Sequence, residues 1–323
     1  MYADTTYVSL LMRRHMRIGI ISTLATPVRQ AGSGSVESLV WTLSHEFVKS
    51  GHEVTVFATA DSEVCGELVA ALPGSYGKKG SPENWMTCEI INLCEAIKHS
   101  ARFDVLHSHS YLYGLVVQGL ARAPMINTMH VAGHSENASL WKRSPNSCVT
   151  AISKYQWSAF PDLKPASVIY HGVDPSQFTF RSGPEDYVCF LGRFISGKGP
   201  LLAVKAARSL GLRLVLAGPR NGYYDKHIAP LVDGSSVEYV GVVAGADKDK
   251  LFGGAKALLY PIQNPEPFGM VMIEAMLCGT PVAAIGLGAV SEVIDQGLPA
   301  IMQSQHRIFR RRYFEPWPWI VPG

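Results

Sequence analysis

Two carboxylates eight positions apart, Glu266 and Glu274, carry the strongest chemical signal in the chain. They lie in K-A-L-L-Y-P-I-Q-N-P-E-P-F-G-M-V-M-I-E-A-M-L-C-G-T-P-V-A-A-I, residues 256–285. The stretch reads as strand, proline-rich loop, helix, tight turn and strand, with Gly279 and Pro281 closing the helix. Glu266 falls in the loop and Glu274 on the helix, and the helix N-terminus between them is a natural seat for a phosphate. A sugar that carries a diphosphate would offer hydroxyls to the acids and anionic oxygens to the amides. The plainer alternative is a loop glutamate and a solvated helical one. A glycosidase pair fits poorly. Two acids eight apart on one helix would stand about 12 Å apart along its axis, against the roughly 5–9.5 Å such pairs need.

Other residues qualify on type and spacing. Arg193 and Lys198 stand on the glycine-bearing loop G-R-F-I-S-G-K-G-P after an apolar run, where a guanidinium and an ammonium could clamp an anion. The turn G-S-G-S, with Gly34 and Ser35, precedes a helix and permits close backbone approach. It is not G-x-G-x-x-G, and no acid is placed for a dinucleotide ribose. His107 and His109 alternate onto one face of a strand end, and His130 ends the next strand. A metal pair is conceivable at 107 and 109, but no third ligand has recognisable spacing. Hydrogen-bonded histidines at the edge of a site are the expectation. Asp247 and Asp249 form D-x-D and read as acids opening a helix over 250–253 rather than as metal ligands.

The segment E-P-F-G-M-V-M-I-E-A-M-L-C-G-T-P-V closely resembles the E-x7-E signature of retaining family-4 glycosyltransferases of the two-Rossmann-domain (GT-B) fold. R-F-I-S-G-K-G resembles that family's R-x4-K element, T-x-H at 128–130 its sugar-contacting histidine, and H-G-V-D its hinge segment. Where the family usually has Gly-Gly, this chain has Gly34-Ser35. The resemblance covers roughly residues 16–297. It implies transfer of a hexosyl group from a nucleotide-diphosphate sugar to a hydroxyl acceptor with retention and without a metal. Glu266 would meet the sugar hydroxyls and Glu274 the ribose. His130 would lie near the anomeric carbon, with Arg193 and Lys198 on the diphosphate. Gly34, Ser35, Val243, Phe268, Gly269, Met270 and Val271 complete the implied donor set, Val243 through its backbone to the base. No cofactor beyond the donor substrate is implied. A catalytically impaired nucleotide-sugar binder is the alternative, since it would share every donor residue. A phosphorylase-like enzyme would need a cofactor lysine site, and none is recognisable.

Bulk properties agree with a large α/β chain. At 323 residues, 47% hydrophobic and 17% charged, the length suits about two domains. No apolar run reaches the ~18 residues of a spanning helix. No secretion pattern opens the chain. The six cysteines make no C-x-x-C spacing and read as reduced core residues of a cytoplasmic protein. The net charge of +3 is carried by residues 301–323, where four arginines face one glutamate, so the body of the chain is balanced and no nucleic-acid partner is expected.

Helical and alternating patterns place an extension at 1–15, an acceptor-side Rossmann-like domain at 16–172, a linker at 173–186 and a donor-side domain at 187–300. The two domains are expected to face each other across a cleft. Strands are expected near 17–23, 54–58, 104–107, 125–129 and 148–152, then 187–191, 212–217, 237–240, 257–260 and 282–285. Residues 301–323 interleave arginines with Phe309, Tyr313, Phe314, Trp317 and Trp319, unlike the family's closing helices. They read as a truncated or replaced end. The alternative is a basic-aromatic segment making weak peripheral membrane-surface contact.

Overall fold

The computed structural model describes residues 15–295 apart from 31, 132–134 and 161, and the expectations for the N-terminal extension and the basic tail lie outside these residues. By contact the chain falls into two units. One runs to Ala151 and adds Asp162–Ser167; the other takes Ile152–Pro161 and everything described from Val168 onward.

The first unit is built on β1 (Arg17–Ile21), β2 (Glu53–Thr59), β3 (Glu67–Leu72), β4 (Val105–Ser108), β5 (Met125–Thr128), β6 (Cys148–Ala151) and the short β7 (Ser167–Val168). These form one sheet in the order β3-β2-β1-β4-β5-β6-β7, and the pairs from β3 through β6 run parallel. Helices cover both faces, as a parallel sheet requires. α1 (Ser35–Lys49) brings Val40 and Trp41 against Ile18, Ile20, Val54 and Val56. α2 (Trp85–His99) lays Leu93 and Ala96 on Ile21, Phe57 and Leu106 on the other side. The chain continues through α3 (Gly114–Val117) and α4 (Ser135–Lys142) to α5 (Lys154–Ser158), which belongs to the second unit.

The second unit repeats the plan with β8 (Val188–Leu191), β9 (Leu214–Ala217), β10 (Val237–Tyr239), β11 (Leu258–Tyr260) and β12 (Val282–Ala284), ordered β10-β9-β8-β11-β12 and all parallel. α6 (Pro200–Ser209) packs Ala203, Val204 and Ala207 on one face. α7 (Gly245–Gly253) and α8 (Met270–Leu277) place Leu251, Phe252 and Ala275 on the other. The short α9 (Val290–Val293) follows β12. Both units therefore share a place where strand order reverses: between β1 and β4 in one, between β8 and β11 in the other. Loops leaving the carboxyl ends of such strands diverge and leave a crevice that ligands use.

Four details depart from the sequence reading. β12 is half exposed rather than buried, because among the described residues it pairs only with β11 and stands at the edge of the sheet. β3 is an additional strand. α1 buries Glu37, Trp41 and Ser44 beside Leu39 and Val40, with Leu43 and Phe47 packed at the edge of the same cluster, so its buried face carries a carboxylate and a hydroxyl. α7 starts at Gly245, so Asp249 lies in its second turn instead of opening it.

Candidate active site

In the second unit, the two loops at the order reversal are stitched together by backbone. The turn Ser196–Lys198 follows β8 and ends at Gly199, whose left-handed φ of 72° admits a glycine readily. A Cβ at Gly199 would stand 1.9 Å from the Pro261 carbonyl oxygen, so only hydrogen lets the turn lie on the loop after β11. The Gln263 amide donates to the Gly197 carbonyl at 2.9 Å, and the Gln263 side chain donates to the Ser196 carbonyl at 2.6 Å. Farther along, the Ala289 amide donates to the Glu266 carbonyl at 2.8 Å. Held on both sides, Glu266 meets the Lys198 ammonium in an ion pair. Lys198 also lies 5.9 Å from the Tyr260 ring centre. Burial, with the nearby Glu266 carboxylate, pushes the Tyr260 phenol well above its usual range.

Gly269 caps α8 with φ 94° and ψ 67°, and a Cβ there would stand 2.5 Å from Met272 Cε. That kink turns the chain from the Glu266 loop into the helix and leaves the Met270 and Val271 amides ahead of the first intrahelical acceptor. The Phe268 ring is buried with Ile152, Ile273 and Met276 and lies 5.1 Å from the His171 ring, so it anchors the turn. Burial lowers His171 to about 4, which keeps that ring neutral.

Glu274 is 7% exposed, so the solvated-glutamate alternative is wrong. Its Oε1 accepts from the Lys248 ammonium at 2.7 Å. Lys248 also lies 5.7 Å from the Phe178 ring centre. The sequence reading missed this lysine: it stands 26 positions before its partner, with β11 between them. Val243 is half-buried in the loop between β10 and α7, which also leads to Lys248. Arg193 is exposed, and among the described residues its guanidinium makes no ion pair. Lys198 and Glu266 are thus brought together, whereas Arg193 is not engaged.

Asp249 corrects the reading of D-K-D. Its carboxylate accepts from the Thr179 amide at 2.6 Å and from Arg181 at 2.7 Å. It fastens the segment entering the unit onto α7 instead of serving a helix start, while Asp247 does lie in the first turn.

The first unit concentrates its polar groups at the same edge of its sheet. Glu37, 2% exposed, accepts from Thr23 Oγ1 at 2.9 Å and from the Ala25 and Thr26 amides at 3.1 and 3.2 Å. Glu89 accepts from the Leu24 amide at 2.8 Å and from the Ser110 hydroxyl. Burial raises both carboxyls, Glu89 to about 7. Together they shape the loop that follows β1. Gly34 caps α1 with an extended backbone, and a Cβ on it would stand 2.2 Å from Glu37 Oε2 and 2.3 Å from Thr26 Oγ1. Glycine is needed there for packing within the chain. Ser35 is exposed at the first helical position.

The three histidines are hydrogen-bonded. His107 Nε2 meets Thr128 Oγ1 at 2.7 Å, and burial lowers its imidazole to about 4. His109 Nδ1 lies 2.8 Å from His130 Nε2. Among the described residues, no group of three or more His, Cys, Asp or Glu is arranged to hold a metal ion, and no helix is long and apolar enough to cross a membrane. All six cysteines are free, three of them buried.

Two family models divide the chain: Glycosyltransferase Family 4 matches residues 36–177, and Glycosyl transferases group 1 matches 176–305. A D-inositol 3-phosphate glycosyltransferase of Arthrobacter sp. (strain FB24) is 25% identical over 90% of this chain and 84% of its own length. The crystal structure of AviGT4, a glycosyltransferase involved in avilamycin A biosynthesis, superposes with a TM-score of 0.64 at 25% identity, covering 86% of this chain and 81% of that one. The Anabaena Alr3699/HepE structure in complex with UDP-glucose reaches 0.66 at 18% identity, covering 90% and 86%. With two parallel-sheet units and both halves matched in sequence, the chain belongs to the family-4 glycosyltransferases of the GT-B fold.

Proposed function

We propose that this glycosyltransferase moves a hexosyl group from a nucleotide-diphosphate sugar to a hydroxyl acceptor with retention at the anomeric carbon. The observation that carries the reading is the Lys198–Glu266 pair beside the N-terminus of α8, where the strand order reverses. A cation and an acid set against bare amides suit a ligand with both a diphosphate and hydroxyls. HepE binds UDP-glucose on a similar fold, which makes a uridine donor the first to try. The inositol-phosphate glycosyltransferases make a phosphorylated polyol the first acceptor to try.

Breaking the glycosyl–phosphate bond leaves negative charge on the departing diphosphate. Arg193, Lys198 and the Gly269–Val271 amides receive it, and the amides, fixed by the turn into α8, need little reorganisation to do so. Glu266 holds sugar hydroxyls once the ligand takes over its lysine. Glu274 takes the ribose, Val243 meets the base, and His130 acts on the sugar near the reacting carbon. Gly34 and Ser35 present the loop after β1. A departing phosphate oxygen takes the acceptor proton on the same face, so no covalent nucleophile is required. A thermal-shift panel of nucleoside diphosphates and their hexose conjugates tests the reading, because preferential binding to the folded state raises the midpoint. Stabilisation by one nucleotide and its sugar over the others is expected. A flat panel, with no transfer from any donor to D-inositol 3-phosphate or simple hexosides, would overturn it.

A further inference from the structure

We propose that Arg220 reads the base of the donor nucleotide and selects a base with keto oxygens, uracil or guanine, over adenine. This role rests on the reading above in which the loop after β10 meets the base through Val243. Arg220 lies in G-P-R-N-G, the loop that leaves the carboxyl end of β9. Its neighbours hold that loop on both sides. The Gly218 amide donates to the Gly241 carbonyl at 2.8 Å, and Tyr239 of β10 donates its hydroxyl to the Gly218 carbonyl at 2.8 Å. Asn221 donates its side-chain amide at 2.9 Å to the Phe194 carbonyl, in the loop after β8. A Cβ at Gly218 would stand 2.1 Å from the Gly192 carbonyl oxygen, so these two loops meet backbone to backbone.

On this frame the Arg220 guanidinium sits 5.1 Å from the centre of the Tyr224 ring and 5.1 Å from that of Tyr239. Tyr224 is 2% exposed, and its ring lies 4.6 Å from Tyr239 and 4.9 Å from Phe194, centre to centre. The guanidinium therefore rests on a packed aromatic floor. Arg220 itself is exposed, and among the described residues it makes no ion pair. A cation held by ring faces instead of by a carboxylate keeps its planar fork of N–H donors for a ligand. Position decides which part of the ligand it meets. The order β10-β9-β8-β11-β12 puts the proposed diphosphate seat at the reversal between β8 and β11, and the loop after β9 on the other side of β8, toward β10. Arg220 and Val243 each stand two residues beyond the Gly218–Gly241 bond, which brings the arginine to the base side. A keto oxygen accepts from a guanidinium, as guanine O6 does from arginine in DNA. Adenine carries an amine where guanine has that oxygen, and an amine facing the fork sets donor against donor.

Calorimetry on the full chain with UDP, GDP, ADP and inorganic pyrophosphate as probes tests this. The wild-type chain should bind UDP or GDP at least about tenfold more tightly than ADP, the discrimination of one good base contact. Arg220→Ala should weaken the preferred nucleotide about tenfold, the scale of one hydrogen bond to a charged group, while ADP and pyrophosphate stay within about twofold. Arg220→Lys keeps the charge and loses the fork, so it should recover less than half of that loss. A wild-type preference for ADP, or an Arg220→Ala protein with unchanged UDP and GDP affinity, would overturn the proposal and leave the donor reading standing. Equal losses for pyrophosphate and nucleotide would put Arg220 on the diphosphate and overturn it as well. A wild-type chain that binds no nucleoside diphosphate would overturn the donor reading, and the role of Arg220 with it.

Discussion

The loop after β1 and the loop after β11 each lie beside the strand-order reversal of their own sheet, and each is organised by acids, yet the acids are satisfied in opposite ways. In the first unit Glu37 and Glu89 are held by backbone amides and hydroxyls. In the second Glu266 and Glu274 are held by lysines. An amide in a loop cannot leave without moving the chain. A lysine can swing away on its flexible stem and let a ligand hydroxyl take its place. The first arrangement uses carboxylates to build backbone, and the second keeps them exchangeable. On the proposed reading, it is a partner able to give way to a ligand, and not the acid alone, that distinguishes the second pair from the first.

The hardest way to break this comparison is to delete one acid of each kind. Glu37→Ala strands two amides and a hydroxyl in a buried loop, each worth about 1–3 kcal/mol. We expect a loss of about 3–5 kcal/mol in urea unfolding. Glu266→Ala releases a lysine that can reach water and should cost about 1 kcal/mol or less. Equal losses would mean that the lysine-paired acids are also structural.

A second test uses pH. Burial raises the Glu89 carboxyl to about 7 in the folded state, against 4.5 for an ordinary glutamate. The folded protein then binds this proton more tightly than the unfolded chain. Stability from that difference is present in full below about pH 4.5 and is lost as pH rises toward the folded value, flattening above it. The shift from 4.5 to about 7 corresponds to about 3 kcal/mol. Glu89→Gln, which mimics the neutral acid, should lose about that much less stability than the native chain between pH 5 and pH 8. Parallel stability curves would show that Glu89 is ionised throughout, and the two regions would then differ less than argued.

What the sequence made visible follows the same division. The positions of Glu266 and Glu274, the Arg193–Lys198 loop and most strands are legible because each lies in a short, self-contained pattern of apolar run, loop and helix. Lys248 is not, because its partner is reached only after α7 and β11 have packed. β3 is not, because E-L-V-A-A-L lacks a run of branched residues and forms a sheet edge. Glu89 left a trace, since it shares the buried face of α2 with Cys88, Asn92, Leu93 and Ala96. An acid on an apolar face signals a buried partner without naming it. The His109–His130 contact joins the ends of two different strands, which periodicity along one strand cannot reveal.

A third measurement sharpens the comparison within the second unit. Glu274→Ala should weaken nucleoside diphosphate binding by about 1–3 kcal/mol in calorimetry, the scale of a charge-assisted hydrogen bond. Glu266→Ala should spare the free diphosphate and reduce turnover of the intact sugar donor. If both variants lose the same affinity for both ligands, the two lysine-paired acids do one job rather than two.

The smallest expected effect is none at all, on adding a chelator. If the lysines beside Glu266 and Glu274 are the exchangeable partners, Arg193, Lys198 and the α8 amides meet the leaving diphosphate without an ion. The one acidic motif nearby is spoken for, since the Asp249 carboxylate already takes the Thr179 amide and Arg181. Freeing it for a metal would unfasten the segment that enters the unit. Donor turnover should therefore be unchanged in excess EDTA. Arg193→Ala should lower kcat more than it raises KM, because the charge it meets grows in the transition state. Activity lost to EDTA and restored by magnesium or manganese would reverse the reading. The lysines would then be standing where an ion belongs, and the acids of the second unit would be metal ligands rather than hydroxyl acceptors.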